Sequence, residues 1–196
     1  SADTQKLQSQ NTSVGWKSSR QVIMGLKIKI CGNRYADQAM LVAAMKPDFM
    51  GWIFAPESPR RVSPRTAGRI IERIRRQYPG ILHVAVFARN RFEEILPISS
   101  AIKADRVQIV GDLPLLHRFS GAFGDRLLPA IRVEKEKTTV RNAPGALIIV
   151  DSFVPGQSGG TGKRFTPQWI AGLSRPFLLA GGLTAENVQS ALREVA

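Results

Sequence analysis

The stretch LKIKICG at residues 26–32 decides the fold of this chain. Apolar and polar side chains alternate along it, and a period of two is typical of a β-strand with one buried face. One face carries leucine and isoleucine, and the other carries Lys27, Lys29 and Cys31. A glycine and a helix-like segment follow, so the stretch predicts the first strand–helix unit of a larger array.

The same unit returns along the rest of the chain. We expect seven strands, at residues 26–32, 49–55, 83–88, 104–111, 127–133, 145–151 and 176–182. We expect helices between them, at residues 36–45, 64–77, 92–101, 114–119, near Val140, at 167–171 and at 185–195. Strands that alternate with helices in this way predict a parallel sheet covered by helices.

Such a sheet can remain open, as a doubly wound sheet, or close into a (β/α)8 TIM barrel. We expect the barrel, which has eight strands, and the sequence supplies seven units. The expected domain is therefore residues 26–196, a TIM barrel truncated after the seventh strand and helix. We expect residues 1–25 to be a disordered arm, an expression tag or upstream read-through, because residues 1–23 are polar and lack the apolar core of a signal peptide.

Composition limits the classes of function. One cysteine cannot form an internal disulfide, which suits a reducing, cytoplasmic setting. The two histidines are far apart, so we expect no metal site, and no apolar run is long enough for a membrane span. The net charge is +13, and the 25 basic and 14 acidic residues after residue 25 still leave +11. These charges are scattered and would also attract a small anionic substrate, so we do not expect a nucleic-acid partner.

Two glycine motifs follow the sixth and seventh strands. The backbone of GQSGGTGKRF, residues 156–165, allows close approach of a ligand and could bind a phosphate, with a mobile surface loop as the alternative. It does not match a Walker A loop, because five residues separate Gly156 and Gly162. Gly181 and Gly182 precede a capped helix, which predicts either an anion site or a plain turn.

Three polar side chains end strands or follow them. Asp151 would lie at the carboxyl rim, where barrel enzymes act, or serve as a turn former. Cys31 would share an inward face with Lys29, whose ammonium favours a thiolate, although a lone cysteine also packs as a small buried hydrophobe. Arg60 lies in a loop stiffened by two prolines and suits capture of a carboxylate. Arg61 is the competing choice, and a solvated basic loop is the alternative.

Taken together, eight segments resemble the phosphoribosylanthranilate isomerase family of tryptophan biosynthesis: KIKICG, MGWIFAPESPRRVSP, VAVFA, RVQIVGD, LLPAIRV, IIVDS, GGTGKRF and FLLAGGLTAENV. The resemblance runs through nearly all of residues 26–196. It implies a cytoplasmic (β/α)8 barrel enzyme, monomeric or homodimeric, that needs no cofactor or metal. Its reaction would be the Amadori rearrangement of N-(5'-phosphoribosyl)anthranilate to 1-(2-carboxyphenylamino)-1-deoxyribulose 5-phosphate, so its partner is a small phosphorylated substrate.

Carried over by position, the resemblance makes Cys31 the general base and Asp151 the general acid. Arg60 would bind the anthranilate carboxylate, and Gln108 would be a second substrate-binding residue. The two glycine motifs would bind the phosphate, through Gly160, Thr161, Gly162, Gly181 and Gly182.

The chain departs from the family pattern in three places. Val110 stands where the family usually has the histidine of QLHG, and CGNR replaces CGIT or CGMR. The eighth strand, which in the family carries part of the phosphate site, is not found, and we expect a chain without it to be poorly stable and inactive until that unit is supplied. The alternatives to the isomerase are another phosphate-binding barrel enzyme, or a basic barrel-derived protein that binds RNA or a protein and has lost catalysis.

Overall fold

The computed structural model describes residues 26–133, 140–151, 170 and 173–195. Its strands are β1 Lys29–Cys31, β2 Phe49–Ile53, β3 Leu82–Ala88, β4 Arg106–Val110, β5 Leu127–Arg132, β6 Ile148–Asp151 and β7 Phe177–Ala180. The helices that lie wholly within these residues are α1 Ala36–Ala44, α2 Pro64–Gln77, α3 Phe92–Ala101, α4 Leu113–Phe123 and α5 Val188–Val195. A 3-10 turn at Gly124–Arg126 joins α4 to β5.

The strands form one sheet in which each pairs in parallel with the next along the chain, from β1 to β7. A doubly wound sheet would reverse its strand order at a switch point, whereas sequential order is that of a TIM barrel. The predicted barrel architecture is therefore confirmed. Within the described part of the chain, β1 and β7 each pair with a single neighbour, so the sheet has two edges there.

Side chains alternate between two apolar layers, as a sheet covered on both faces requires. The layer toward the barrel axis contains Phe49, Ile53, Ala55, Val84, Val86, Leu128, Ala130 and Ile149. The layer between the sheet and the helices contains larger side chains, among them the fully buried Trp52, Phe54 and Phe87. Cys31 and Val110 pack against the axial layer.

Helix α2 shows how the sequence builds the outer wall. The hydroxyl of Ser63 accepts a hydrogen bond from the Thr66 N–H at 3.1 Å, which caps the helix, and Pro64 occupies its first turn. Three isoleucines face the sheet and are buried, at positions 70, 71 and 74. Arg69, Arg73 and Arg76 are exposed, as the amphipathic pattern predicts.

Several bounds differ from the sequence expectation. The helix expected at 114–119 runs on to Phe123, because Asp112 caps it by accepting from the Leu115 N–H at 3.0 Å and because Phe119 and Phe123, one turn apart, are both buried. The strand expected at 26–32 begins only at Lys29. The helix expected at 167–171 lies outside the described residues, apart from the buried Ile170.

The outer side of β1 is exposed. Leu26, Ile28 and Ile30 on β1 and its approach are 61%, 48% and 36% exposed. Leu41 on α1 and Met45 at its C-terminus are exposed as well. Among the described residues, no helix has the length and apolar content needed to cross a membrane.

Candidate active site

Cys31 and Asp151 end two strands of the sheet, as predicted. Cys31 is the last residue of β1 and packs against the axial layer. Asp151 is the last residue of β6 and pairs in register with Ala180, which also packs against that layer. Because register partners on parallel strands face the same side of a sheet, both side chains face the barrel axis at its carboxyl rim. In TIM barrels this rim is where catalysis takes place.

Lys29 and Cys31 contact each other on the inner face of β1. The ammonium Nζ of Lys29 donates a hydrogen bond to Sγ of Cys31 at 2.5 Å. Both residues are half-buried. The contact holds the sulfur beside a positive charge at the carboxyl rim. The strand therefore presents a cysteine together with a cationic partner, as its alternation predicts.

Gly51 provides the space that this pair occupies. It is the register partner of Cys31 on β2. A Cβ atom at position 51 would lie 2.3 Å from Sγ of Cys31 and 3.3 Å from Nζ of Lys29. Gly51 was not among the predicted site residues, although a glycine inside a buried strand is itself a signal of close approach.

Arg60 lies in the loop between β2 and α2 and reaches back to β1. Its Nη1 donates a hydrogen bond to the carbonyl oxygen of Cys31 at 3.3 Å. Gly32, at φ +93°, makes room for it, since a Cβ there would lie 2.7 Å from Cδ of Arg60. Of the two arginines that the sequence left open, Arg60 makes this contact with the cysteine strand. A guanidinium carries five N–H donors, so one that bonds a carbonyl can still bind a carboxylate.

Gln108 lies in the middle of β4 and faces the barrel axis. Its register partners are Val86 and Leu128, both members of the axial layer. The residue is 9% exposed, and its Oε1 has no hydrogen-bond partner among the described residues. A buried acceptor without a partner costs about 1–3 kcal/mol, which a bound donor would recover. The position suits an acceptor for a ligand hydroxyl.

Two further side chains of the rim come from β4 and β5. Val110 ends β4 and pairs with Ala88 and Ala130, which makes this part of the wall apolar. Arg132 ends β5 and is the register partner of Asp151, so it lies on the same side of the sheet. Arg132 was not among the predicted site residues, although the alternation of LLPAIRV places it on the face of residues 128 and 130.

Gly181 and Gly182 form a turn after β7. Gly181 and Gly182 have φ of +93° and +60°, the left-handed region that glycine adopts without strain. Asn187 closes the turn: its Nδ2 donates to the Gly182 carbonyl at 2.8 Å, and its Oδ1 accepts from the Thr184 N–H at 2.8 Å. The turn lies at the carboxyl end of β7 and leads into α5. The other predicted phosphate residues, Gly160, Thr161 and Gly162, lie outside the described residues.

A groove of about 750 Å3 lies on the outside of the barrel, between α2 and α3. It is lined in part by Arg65, Arg69, Arg76 and Lys103. None of the described residues predicted for the site lines it. The groove is thus a basic outer surface, separate from the carboxyl rim.

Seven parallel strands in sequential order, with polar side chains and a glycine turn at their carboxyl ends, place the chain in the class of (β/α)-barrel enzymes. The sequence profile of one family of that class, described as N-(5'phosphoribosyl)anthranilate (PRA) isomerase, matches residues 28–196. The chain belongs to this family.

Individual relatives agree with that assignment. The N-(5'-phosphoribosyl)anthranilate isomerase of Leptospira borgpetersenii serovar Hardjo-bovis is 36% identical over 173 residues, which are 86% of this chain and 80% of that protein. The isomerase of Moorella thermoacetica is 34% identical over 178 residues, 87% of this chain and 76% of that protein.

Solved structures of the family have the same fold. The crystal structure of phosphoribosyl anthranilate isomerase from Thermotoga maritima superposes with a TM-score of 0.72 at 29% identity, covering 87% of this chain and 84% of that one. A structure of the isomerase in complex with reduced 1-(o-carboxyphenylamino)-1-deoxyribulose 5-phosphate gives 0.67 at 26% identity, covering 87% and 83%.

Proposed function

We propose that this protein catalyses the Amadori rearrangement of N-(5'-phosphoribosyl)anthranilate to 1-(2-carboxyphenylamino)-1-deoxyribulose 5-phosphate, a step of tryptophan biosynthesis. The observation that carries the proposal is the Cys31 thiol, hydrogen-bonded to the Lys29 ammonium on the axial face of β1. Membership of the isomerase family and the related complex with a reduced form of the product support it.

The reaction needs an acid and a base at one substrate. We assign the acid to Asp151, which protonates the furanose ring oxygen so that the ring opens to a Schiff base. We assign the base to Cys31, whose thiolate removes the C2' proton and yields an enolamine. The enolamine then tautomerises to the ketone, with a proton added at C1'. The substrate thus gains no atoms and loses none, and proton exchange with solvent restores both side chains.

The remaining residues hold the substrate between these two groups. Arg60 would bind the anthranilate carboxylate, since a guanidinium matches a carboxylate through two parallel hydrogen bonds. The buried Oε1 of Gln108 would accept a hydrogen bond from a sugar hydroxyl. The phosphate would bind at the two glycine motifs, through Gly160, Thr161, Gly162, Gly181 and Gly182. Anchors at both ends of the substrate would keep the reacting carbon beside the thiol.

Replacement of the two candidate catalytic residues tests the proposal. The wild-type protein should change the fluorescence of freshly formed N-(5'-phosphoribosyl)anthranilate as it isomerises. Cys31→Ala and Asp151→Asn should each lower kcat by about 100-fold or more. Arg69→Ala, on the outer surface, is the control and should leave kcat unchanged. Wild-type turnover that survives in Cys31→Ala would disprove the role of the cysteine.

The basic groove between α2 and α3 supports a second candidate, a barrel-derived protein that binds RNA and has lost catalysis. Its arginines would neutralise phosphates, so retention of RNA would fall steeply with salt. We favour the isomerase and a small phosphorylated substrate, because the described residues that line the groove include no aromatic side chain on which bases could stack. Salt-dependent RNA retention without isomerase activity would reverse this choice.

We also propose that the enzyme acts in the cytoplasm as a monomer or a homodimer. One related structure is of monomers generated from the dimeric Thermotoga maritima isomerase. Light scattering coupled to gel filtration, on the full chain at assay concentration, distinguishes the two states.

A further inference from the structure

Two loops at the carboxyl rim are joined by crossing arginines. The loop after β1 contains Arg34, whose Nη1 donates a hydrogen bond to the carbonyl oxygen of Pro59 at 2.6 Å. The loop after β2 contains Arg60, whose Nη1 donates to the carbonyl oxygen of Cys31 at 3.3 Å. Each loop therefore extends an arginine to the backbone of the other, and we call this arrangement the arginine clasp.

The contact made by Arg34 falls at a particular peptide bond. The Pro59 carbonyl belongs to the peptide unit that supplies the backbone nitrogen of Arg60. That nitrogen donates to the hydroxyl of Ser58 at 3.2 Å. Hydrogen bonds thus hold both the carbonyl and the N–H of this peptide unit. They set the direction in which the Arg60 side chain leaves the loop.

The loop that carries Arg34 is itself fixed to the sheet. Asn33 is 5% exposed, and its Nδ2 donates to the carbonyl oxygens of Gly51 at 3.1 Å and Ile30 at 3.3 Å. The N–H of Gly32 donates to the same Gly51 carbonyl at 3.2 Å. The guanidinium of Arg34 lies 5.2 Å from the ring centroid of Tyr35, within range of a cation–π contact. The backbone next to Arg34 is therefore anchored to β1 and β2. The Tyr35 ring supports one side of the Arg34 guanidinium.

We propose that Arg34 is a positioning residue for Arg60. By holding the Pro59 peptide, it keeps the Arg60 guanidinium over the end of β1, where the substrate carboxylate would be bound beside the base. This inference rests on the proposed function only in taking the bound carboxylate to be that of the anthranilate substrate. The position of the Arg60 side chain does not depend on that function. Nothing in the Arg34 contact touches the reacting carbon, so its effect should fall on binding.

The kinetic test compares three variants in the full chain. Arg34→Ala should raise KM about tenfold and leave kcat within about twofold, because the lost interaction contributes to the ground state and the transition state alike. Arg34→Lys should recover part of this loss, since an ammonium can still donate to one carbonyl. Arg69→Ala removes an exposed arginine from α2 and should match the wild type. An unchanged KM in Arg34→Ala, or a loss confined to kcat, would overturn the inference.

Two readouts keep this test separate from the proposed function. Calorimetric titration with reduced 1-(o-carboxyphenylamino)-1-deoxyribulose 5-phosphate should show about tenfold weaker binding to Arg34→Ala than to the wild type. The analogue that lacks the carboxyl group should bind equally to Arg34→Ala and to the wild type. A crystal structure of Arg34→Ala should show Arg60 displaced from the Cys31 carbonyl, whether or not the protein turns over the substrate. Arg60 unmoved in that structure would refute the positioning role. A wild type without turnover would refute only the proposed function.

Discussion

Gly51 lies beside Cys31 across the β1–β2 pair, so close that a Cβ on the glycine would come within 2.3 Å of the thiol sulfur. Real Cβ atoms essentially never approach another heavy atom below 3.0 Å. The sulfur can occupy its position only because residue 51 has no side chain. Gly51 on β2 thereby determines where the thiol of Cys31, the proposed base on β1, is held.

Replacement of Gly51 by alanine should reduce catalysis. The new methyl group would push the thiol from its place, and a displacement of about 1 Å can cost about 100-fold in rate. We expect kcat for the anthranilate substrate to fall by about 10- to 100-fold in Gly51→Ala. Steady-state kinetics measures it, with Gly68→Ala as the matched control. Gly68 lies inside α2, and apart from its chain neighbours and the backbone of the helix itself no atom of the described residues lies within 4 Å of a Cβ there. This variant should keep full activity and gain about 0.5–1 kcal/mol in stability.

Removal of the Lys29 ammonium should make the cysteine less reactive. Lys29→Met eliminates the donor to Sγ while keeping a similar length, so the sulfur loses its cationic hydrogen-bond partner. We expect about a tenfold slower alkylation of Cys31 by iodoacetamide at neutral pH, and a similar loss in kcat. Because Cys31 is the only cysteine, the reaction reports one site.

Two variants separate charge from packing at position 29. Lys29→Arg retains a cation and should recover most of the alkylation rate. Lys27→Met alters a lysine of the same segment that pairs with Asp48 at 2.6 Å and should leave the rate at the wild-type value. Equal alkylation rates in Lys29→Met and the wild type would show that the short contact does not activate the thiol.

His83 should make the stability depend on pH. The ring is fully buried, and burial, with a smaller contribution from the charge of Arg75, lowers the pKa of His83 from 6.5 to about 4. The unfolded chain therefore takes up the proton at a higher pH than the folded protein does. Stability is greatest above pH 6.5 and falls as the pH drops toward about 4, by about 3 kcal/mol in all.

Urea unfolding at pH 7, 5.5 and 4.5 measures this dependence. His83→Gln offers an amide oxygen to the Trp52 indole but no titrating group, so its stability should fall less between pH 6.5 and about 4. Parallel curves for the two proteins over this range would contradict the assignment.

A strand–helix unit that pairs with both β1 and β7 should stabilise the described part of the barrel. It would cover the outward-facing apolar side chains of β1 and its approach, Leu26, Ile28 and Ile30, which are exposed among the described residues. Each such side chain that becomes buried contributes about 1.5–3 kcal/mol. We expect a fusion that carries a designed strand–helix unit after residue 196 to melt at a higher temperature than the chain without it. A fusion with a scrambled segment of equal length is the control, and equal melting temperatures would refute the expectation.

Much of the fold follows from local sequence patterns. The alternation of LKIKICG and GALIIVD placed Cys31 and Asp151 on inner faces at strand ends, and their positions in β1 and β6 agree with it. The cap at Ser63 and the isoleucine spacing predicted α2 with both of its bounds. These signals are strong because each lies within one element, where a period or a cap acts between residues close in sequence.

What the sequence did not predict depends on register and on loop conformation. The contact of Gly51 with Cys31 exists because β1 pairs with β2 at that particular register, and an alternation pattern does not specify the offset between strands. In the arginine clasp, the hydrogen bond from Arg34 to Pro59 joins residues 25 positions apart through two irregular loops. No periodic signal exists in such loops, so their contacts become visible only in three dimensions.

The bond between Trp52 and His83 gives the protein an internal optical reporter. The indole Nε1 donates to Nδ1 of the imidazole at 3.2 Å, which requires that nitrogen to carry no proton. When acid protonates the ring, the acceptor is lost and a cation appears beside the indole, whose centroid lies 6.0 Å from that of the imidazole. Once the other two tryptophans, Trp16 and Trp169, are replaced by phenylalanine, the emission of Trp52 should follow the charge of His83. The onset of acid unfolding can then be observed from the interior of the outer wall without any added dye.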